Sequence, residues 1–155
     1  MRSVLFVCTG NICRSPTAEG LLRHKLLDMK LLDEFHVDSA ATHSYNIGDP
    51  PDPRTVSVAR ENGVSLDNLR ARKVRSSDFH TFKSILAMDR NHLQILRALA
   101  PAEHEGEIRL FLDYCPGLEG QEVPDPYYGD MKDFYRVYSM IDRGVEEFIK
   151  SAALP

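Results

Sequence analysis

Residues 4–16, which read Val-Leu-Phe-Val-Cys-Thr-Gly-Asn-Ile-Cys-Arg-Ser-Pro, constrain the fold of this chain more than any other segment. Four apolar residues ending at Val7 have the length of a buried strand. Ser15-Pro16 is a helix start, with Ser15 as N-cap and Pro16 in the first helical position. A loop that joins a strand to a helix can converge its amides on an anion, because the helix adds unpaired donors and the positive end of its dipole. Gly10 offers such a loop a positive φ, and Asn11 tolerates the left-handed region better than most residues. The order of residues predicts a phosphate cradle made by Thr9, Gly10, Asn11, Ile12, Cys13 and Ser15.

Two residues of the loop carry chemistry. Cys8 opens it and Arg14 closes it. Helix N-termini and nearby arginine lower a cysteine pKa from about 8.5 to roughly 3.5–7.5, which makes Cys8 a thiolate nucleophile at neutral pH. Arg14 supplies a planar fork that holds two phosphate oxygens at once, a geometry lysine does not reproduce. The Ser15 hydroxyl is placed to donate to the sulfur, both as attacking and as leaving group. A cysteine at a strand end is often no more than core packing. Here strand, Cys, Gly-Asn, Arg and Ser-Pro follow one another in the order one site requires. The loop is not a nucleotide-binding one, because no Gly-Lys-Ser or Gly-Lys-Thr follows the glycine.

The rest of the chain alternates between apolar runs and helical patterns. A helix is expected from Pro16 to about Lys30, with Ala18, Leu22, Leu26 and Met29 on one face, then a strand over 35–39. Pro50-Pro51-Asp52-Pro53 is a rigid turn into a helix through Val56 and Ala59 that stops near Gly63. A third strand is expected over 84–88, a helix from Asp89 to Ala100 closed by Pro101, and a fourth strand over 108–112. A polar loop over 113–129 leads to a last helix, where Phe134, Val137, Tyr138, Ile141, Val145, Phe148 and Ile149 recur at three- and four-residue steps behind Asp130 as N-cap. Such alternation implies a parallel sheet covered by helices on both faces, with ligands bound outside the carboxyl ends of the strands, where Cys8 falls.

Composition narrows the function classes. With 155 residues, 43% of them hydrophobic, the chain reads as one domain over 1–155 with a proper core. A net charge of -4 gives no bulk attraction to nucleic acid, so phosphate recognition must be local and no nucleic-acid partner is expected. No apolar run approaches a membrane span and the N-terminus leads directly into the first strand without a signal peptide. Three cysteines are an odd, sparse set that fits a reducing compartment, and the chain reads as cytoplasmic, without membrane insertion. Six histidines scatter without metal-ligand spacing, and Cys8 and Cys13 have no second ligand pair, so no metal is expected. Arg70, Arg72, Lys73 and Arg75 form a basic run that reads as solvated surface.

Nucleophilic attack on a phosphate ester leaves a departing alkoxide or phenolate that needs a proton, so a carboxylic acid must reach the leaving oxygen. Asp125, stiffened between Pro124 and Pro126, is the candidate; ionised after the first step, it can take a proton from the water that attacks the thiophosphate. Tyr127 and Tyr128 follow it and are either walls that stack on an aryl ring or ordinary half-buried residues.

The phosphate loop and the Asp125-Pro126-Tyr127-Tyr128-Gly129 motif, with Asp38-Ser39-Ala40-Ala41-Thr42, Gly48-Asp49-Pro50-Pro51-Asp52 and Ala87-Met88-Asp89, resemble the low-molecular-weight protein tyrosine phosphatases over essentially the whole chain. The resemblance implies a flavodoxin-like, three-layer α/β fold with a four-stranded parallel sheet in the order 2-1-3-4. It implies hydrolysis of phosphotyrosine and other aryl phosphate monoesters through a phosphocysteine, without a cofactor, by a monomer or weak dimer. The partner it implies is a phosphotyrosine-containing protein or a small aryl phosphate. It puts Tyr45 and Asn46 on a rim segment that varies with substrate preference, and Asn11 and Ser39 in a network that braces the loop. It also makes Cys13 a redox partner of Cys8, the alternative being a cysteine packed under the loop. Where many relatives have a histidine in the bracing network, this chain has Asn68 or a neighbour. An arsenate reductase of the same fold remains an alternative, although its relay needs two further cysteines and only Cys115 is left. A non-catalytic phosphate-binding module is the other.

Overall fold

The structure, a computed structural model, describes residues 1–153. Its centre is the strand β1 (Arg2–Cys8), which pairs in parallel with β2 (Phe35–Ala41) on one side and β3 (Ser84–Ala87) on the other. Strand β4 (Glu107–Leu110) pairs with β3, so the all-parallel sheet has the order β2-β1-β3-β4. This is the expected doubly wound arrangement, in which the crossover from β1 to β2 and the one from β2 to β3 run in opposite directions and open a crevice at the carboxyl end of β1.

A strand buried on both faces must be apolar throughout. Val4, Leu5, Phe6 and Val7 accordingly have no exposed surface. Val4 and Phe6 face α1 (Arg14–Asp28) and α5 (Met131–Ala153), where they meet Leu22, Leu26, Ile141, Val145 and Phe148. Leu5 and Val7 point the other way, into a second apolar layer with Phe79 from α3 (Asp78–Thr81) and Leu96 from α4 (Arg90–Leu99). Helix α2 (Pro53–Glu61) packs beside α5, starts with a proline at its first position, and is capped by the Asp52 carboxylate, which accepts from the Arg54 amide.

Several boundaries differ from expectation for identifiable reasons. Helix α1 begins at Arg14, so Ser15 is not its N-cap and Pro16 is not its first residue. Pro16 still sits in the first turn, where a missing N–H costs no hydrogen bond, and the Ser15 hydroxyl is free for other work. Met29 lies past the end of α1 and is half exposed, because Lys30 takes a left-handed φ of 59° and turns the chain away; Leu21 fills the core instead. Strand β2 runs two residues longer than expected. Ala40 and Ala41 continue the ladder opposite Val7 and Cys8 of β1, and Ala41 also pairs with a stretch near Lys73, through Ala41 N to Arg72 O and Val74 N to Ala41 O. Strand β4 ends at Leu110 because Phe111–Tyr114 coils into a 3-10 turn, and α3 had no periodicity long enough to announce it. Asp130 does cap α5: its carboxylate accepts from the Asp133 amide while Asp133 accepts from the Asp130 amide, a reciprocal capping box.

Candidate active site

The loop between β1 and α1 engages its carbonyls with neighbouring segments. The Thr42, His43, Asp52 and Thr17 amides donate to the carbonyls of Cys8, Thr9, Ile12 and Cys13. Among the described residues, no protein acceptor takes the amides of Thr9 to Ser15, which leaves them for an anion. Asn11 provides the turn with a φ of 59°, as its residue type allows. Gly10 does not take a positive φ, contrary to expectation. It is small for another reason: a Cβ there would lie 2.6 Å from Asn46 Nδ2, so the missing side chain lets the rim close over the loop.

Behind the loop the polar groups are buried and paired in a definite direction. Asn11 Nδ2 donates to Ser15 Oγ at 2.7 Å and to Ser39 Oγ at 2.9 Å, while Asn11 Oδ1 accepts from the Arg72 amide at 3.1 Å. Ser39 Oγ therefore turns its own proton to Glu19 Oε1 at 2.7 Å, and Arg23 Nε donates to the other oxygen of Glu19 at 3.0 Å. Burial pushes the Glu19 carboxyl up, against the opposing pull of Ser39 and Arg23. Since Ser15 Oγ accepts from Asn11, its proton is free for Cys8 Sγ, 2.9 Å away. Asn11 and Ser39, expected to brace the loop, are both joined in this network. Asn68 takes no part and is exposed. The acceptor on Asn11 is met instead by backbone, and Arg72 is held there by Asp38 and Asp78 at 3.0 Å each. Arg72 is thus no member of a solvated basic surface, unlike the exposed Arg70, Lys73 and Arg75.

Arg14 is only 3% exposed. Its Nη1 donates to Asp89 Oδ2 and to the Val123 carbonyl, both at 3.0 Å, and its Nη2 reaches Thr9 Oγ1 at 3.4 Å. Burial works to raise the Asp89 carboxyl, but hydrogen bonds from the His92 amide and Arg14, with the Arg14 charge, outweigh it and leave Asp89 below its ordinary value. Sequence reasoning did not assign Asp89, His92, Glu19 or the Val123 carbonyl to the site. Asp89 had one legible signal, an acid between a strand and a helix; the others had none.

Cys8, Thr9, Gly10, Ile12, Cys13 and Arg14 form the floor of a cleft of about 330 Å³, and Tyr45, Asn46, Asp125, Tyr127 and Tyr128 form its walls. Asn11, Ser15 and Ser39 lie behind the floor and do not reach the cleft. Asp125 Oδ2 is 3.8 Å from Arg14 Nη2, and Oδ1 accepts from the Tyr127 amide at 3.1 Å, which aims the half-exposed carboxyl over the loop. Tyr127 meets Tyr128 edge to face at 4.9 Å, and the Arg54 guanidinium, locked on Asp52, lies 5.4 Å from the Tyr127 ring centre. On the opposite wall Tyr45 stacks on His43 at 5.2 Å. Cys13 is buried, and desolvation pushes its thiol up to about 12. A disulfide with Cys8 would first require that thiol to give up its proton.

The family model "Low molecular weight phosphotyrosine protein phosphatase" matches residues 3–154. A chicken protein of that same description is 40% identical over 152 residues, covering 97% of this chain and 95% of the relative. The crystal structure of a protein tyrosine phosphatase from Entamoeba histolytica with Hepes in its active site superposes with a TM-score of 0.90 at 35% identity, covering 99% of this chain and 100% of that one. A Drosophila structure described as an arginine phosphatase superposes with a TM-score of 0.92 at 33% identity, over 99% of both chains. Sequence, sheet order and the build of the loop agree: this chain belongs to the low molecular weight phosphotyrosine protein phosphatase family.

Proposed function

We propose that this protein hydrolyses phosphotyrosine and related aryl phosphate monoesters through a phosphocysteine. The reading is carried by one arrangement: Cys8, Arg14 and Asp125 meet in a single cleft, over a loop whose amides have no protein acceptor among the described residues. The Cys8 sulfur attacks phosphorus while Arg14 and the loop amides take the charge that builds on the equatorial oxygens. The bond from phosphorus to the leaving oxygen breaks, and Asp125 delivers its proton to that oxygen. In the second step water attacks the phosphocysteine, Asp125 takes a proton from it, and the sulfur departs as a thiolate that accepts the Ser15 hydrogen bond. Asp125 thus serves as acid and then as base, so the enzyme is restored at the end of each turnover.

The aromatic walls favour an aryl ester. Tyr45, Tyr127 and Tyr128 present rings at the mouth, which suit a flat ring more than a short serine phosphate. Arsenate reduction is disfavoured because Cys115 is wholly buried and absent from the cleft, so it offers no relay thiol. Among the described residues no helix is long and apolar enough to cross a membrane. Three free cysteines fit work in a reducing compartment, which we take to be the cytoplasm, by a monomer or weak dimer.

Hydrolysis of p-nitrophenyl phosphate in the presence of EDTA tests the reading. The parent should turn over, and Cys8→Ser should lose at least about a thousandfold in kcat, the scale for removing a nucleophile. Activity that persists in Cys8→Ser, or none in the parent, sinks the proposal. Phosphotyrosine should be preferred to phosphoserine and to phosphoarginine; a preference for phosphoarginine would align the chain with its Drosophila neighbour instead.

A further inference from the structure

His92 lies in the first turn of α4 with no exposed surface, and none of the steps above uses it. Among the described residues its Nδ1 is the only buried side-chain nitrogen or oxygen without a hydrogen-bond partner. A buried imidazole left half-satisfied is costly and calls for a reason. Its surroundings supply one. Nε2 lies 2.7 Å from Thr9 Oγ1, and Nδ1 lies 3.1 Å from Asp89 Oδ1, close but out of line for a hydrogen bond. The same two residues hold Arg14, Asp89 through Nη1 at 3.0 Å and Thr9 through Nη2 at 3.4 Å. His92 thus closes a ring of four side chains, Arg14 to Asp89 to His92 to Thr9 and back to Arg14.

The directions of the protons in this ring follow from its charges. Burial and the nearby Arg14 cation push the imidazole down to about 4, so it is neutral at pH 7. A lone pair on Nδ1 would face the Asp89 carboxylate, so the proton belongs on Nδ1, where the field of Asp89 favours it. Nε2 is then an acceptor. It takes the Thr9 hydroxyl proton, which turns the Thr9 lone pairs to Arg14 Nη2. Asp89 meanwhile keeps Oδ2 for Arg14 and Oδ1 for the His92 amide. Each member leaves the next with only one favourable orientation, and the guanidinium is gripped on its two rear edges.

We propose that His92 is a positioning residue for Arg14, acting through Thr9 and Asp89 to set the guanidinium in its phosphate-binding pose before substrate arrives. The inference rests on the phosphatase reading for the role of Arg14. Its test reads phosphate affinity as well as turnover, so the two can fail separately. Orientation established in advance is the part of binding that a loosened arginine loses first.

The experiment measures the Kd for inorganic phosphate and the kinetics with p-nitrophenyl phosphate for the parent, His92→Leu, His92→Gln, Thr9→Val and the His92→Leu/Thr9→Val pair. The removal of one oriented hydrogen bond corresponds to about a tenfold loss. His92→Leu should weaken phosphate binding by about tenfold and lower kcat/KM by a similar factor. His92→Gln, whose side-chain oxygen reaches the Nε2 position, should come within about threefold of the parent. Thr9→Val should match His92→Leu, and the pair should be little worse than either, because both break one hydrogen bond. Equal losses for Leu and Gln would mean that His92 only fills space and would overturn the proposal. Multiplying losses in the pair, or an unchanged phosphate Kd, would do the same. If His92→Leu does not fold, Thr9→Val decides: parent-like phosphate binding in that variant refutes the ring. A parent without turnover that still shows these Kd ratios would fail the phosphatase reading and keep the ring.

Discussion

The back and the front of the phosphate loop are built in opposite ways. Behind the loop, Asn11, Ser15, Glu19 and Ser39 are each under 5% exposed and linked by hydrogen bonds of 2.7–2.9 Å that leave each hydroxyl one direction. In front, Tyr45 and Tyr128 are 75% and 91% exposed and are held by ring contacts alone. A buried polar network is stiff because any other arrangement strands a donor or acceptor away from water, at about 1–3 kcal/mol each. An exposed ring has no such penalty and reorients at little cost. The contrast separates chemistry, which needs a sulfur and a guanidinium held to fractions of an ångström, from selection of the substrate, which tolerates adjustment.

Three substitutions press on that contrast, in decreasing order of effect. Asp125→Asn sits between the two regions, exposed like the rim but chemical like the floor. It should cut kcat on phosphotyrosine by about a hundred- to a thousandfold, the range for general acid catalysis. The loss should be clearly smaller with p-nitrophenyl phosphate, whose leaving group needs less help, so equal losses in parallel assays would remove the acid role. Asn11→Ala strikes the back. It frees the Arg72 amide, breaks two hydroxyl contacts and puts alanine at a left-handed φ, so a loss of about 2–4 kcal/mol in a denaturant titration is expected, with kcat down by about tenfold or more. A parent-like midpoint would show that the network is not what holds the loop. Tyr128→Ala strikes the front and should move KM for phosphotyrosine by no more than about threefold, with Tm unchanged, because it buries little and bonds nothing. Destabilisation comparable to that of Asn11→Ala would erase the distinction between back and front.

Much of this was legible along the chain. The doubly wound sheet announced itself because a strand buried on both faces must be continuously apolar and a crossover helix must be amphipathic, and both patterns are local. The floor of the cleft and the serine behind it were legible for the same reason. Cys8, Arg14 and Ser15 are neighbours along one strand, loop and helix, so spacing carries their geometry. Asp125 was singled out by the proton balance that a phosphate ester demands, and it lies in the cleft beside Arg14. Local signals also misled: Ser15-Pro16 looked like a cap because the residue types fit one, yet the helix begins earlier and the hydroxyl turns to the sulfur. Gly10 looked like a positive-φ residue, yet it is small to admit Asn46. Arg72 looked like one charge in an exposed run, yet Asp38 and Asp78 draw it inward.

The sequence by itself determined the alternation of strands with helices and singled out Cys8, Arg14 and Asp125 as candidates for nucleophile, phosphate clamp and acid, because each of these follows from residue type, spacing or proton balance. Only the tertiary structure decided what holds them. Glu19 meets Ser39, Arg72 meets Asn11, and His92 meets Thr9 across 20, 61 and 83 positions of sequence. A buried hydrogen bond between distant side chains depends on the packing of whole elements against one another, and no periodicity or spacing in the chain records it.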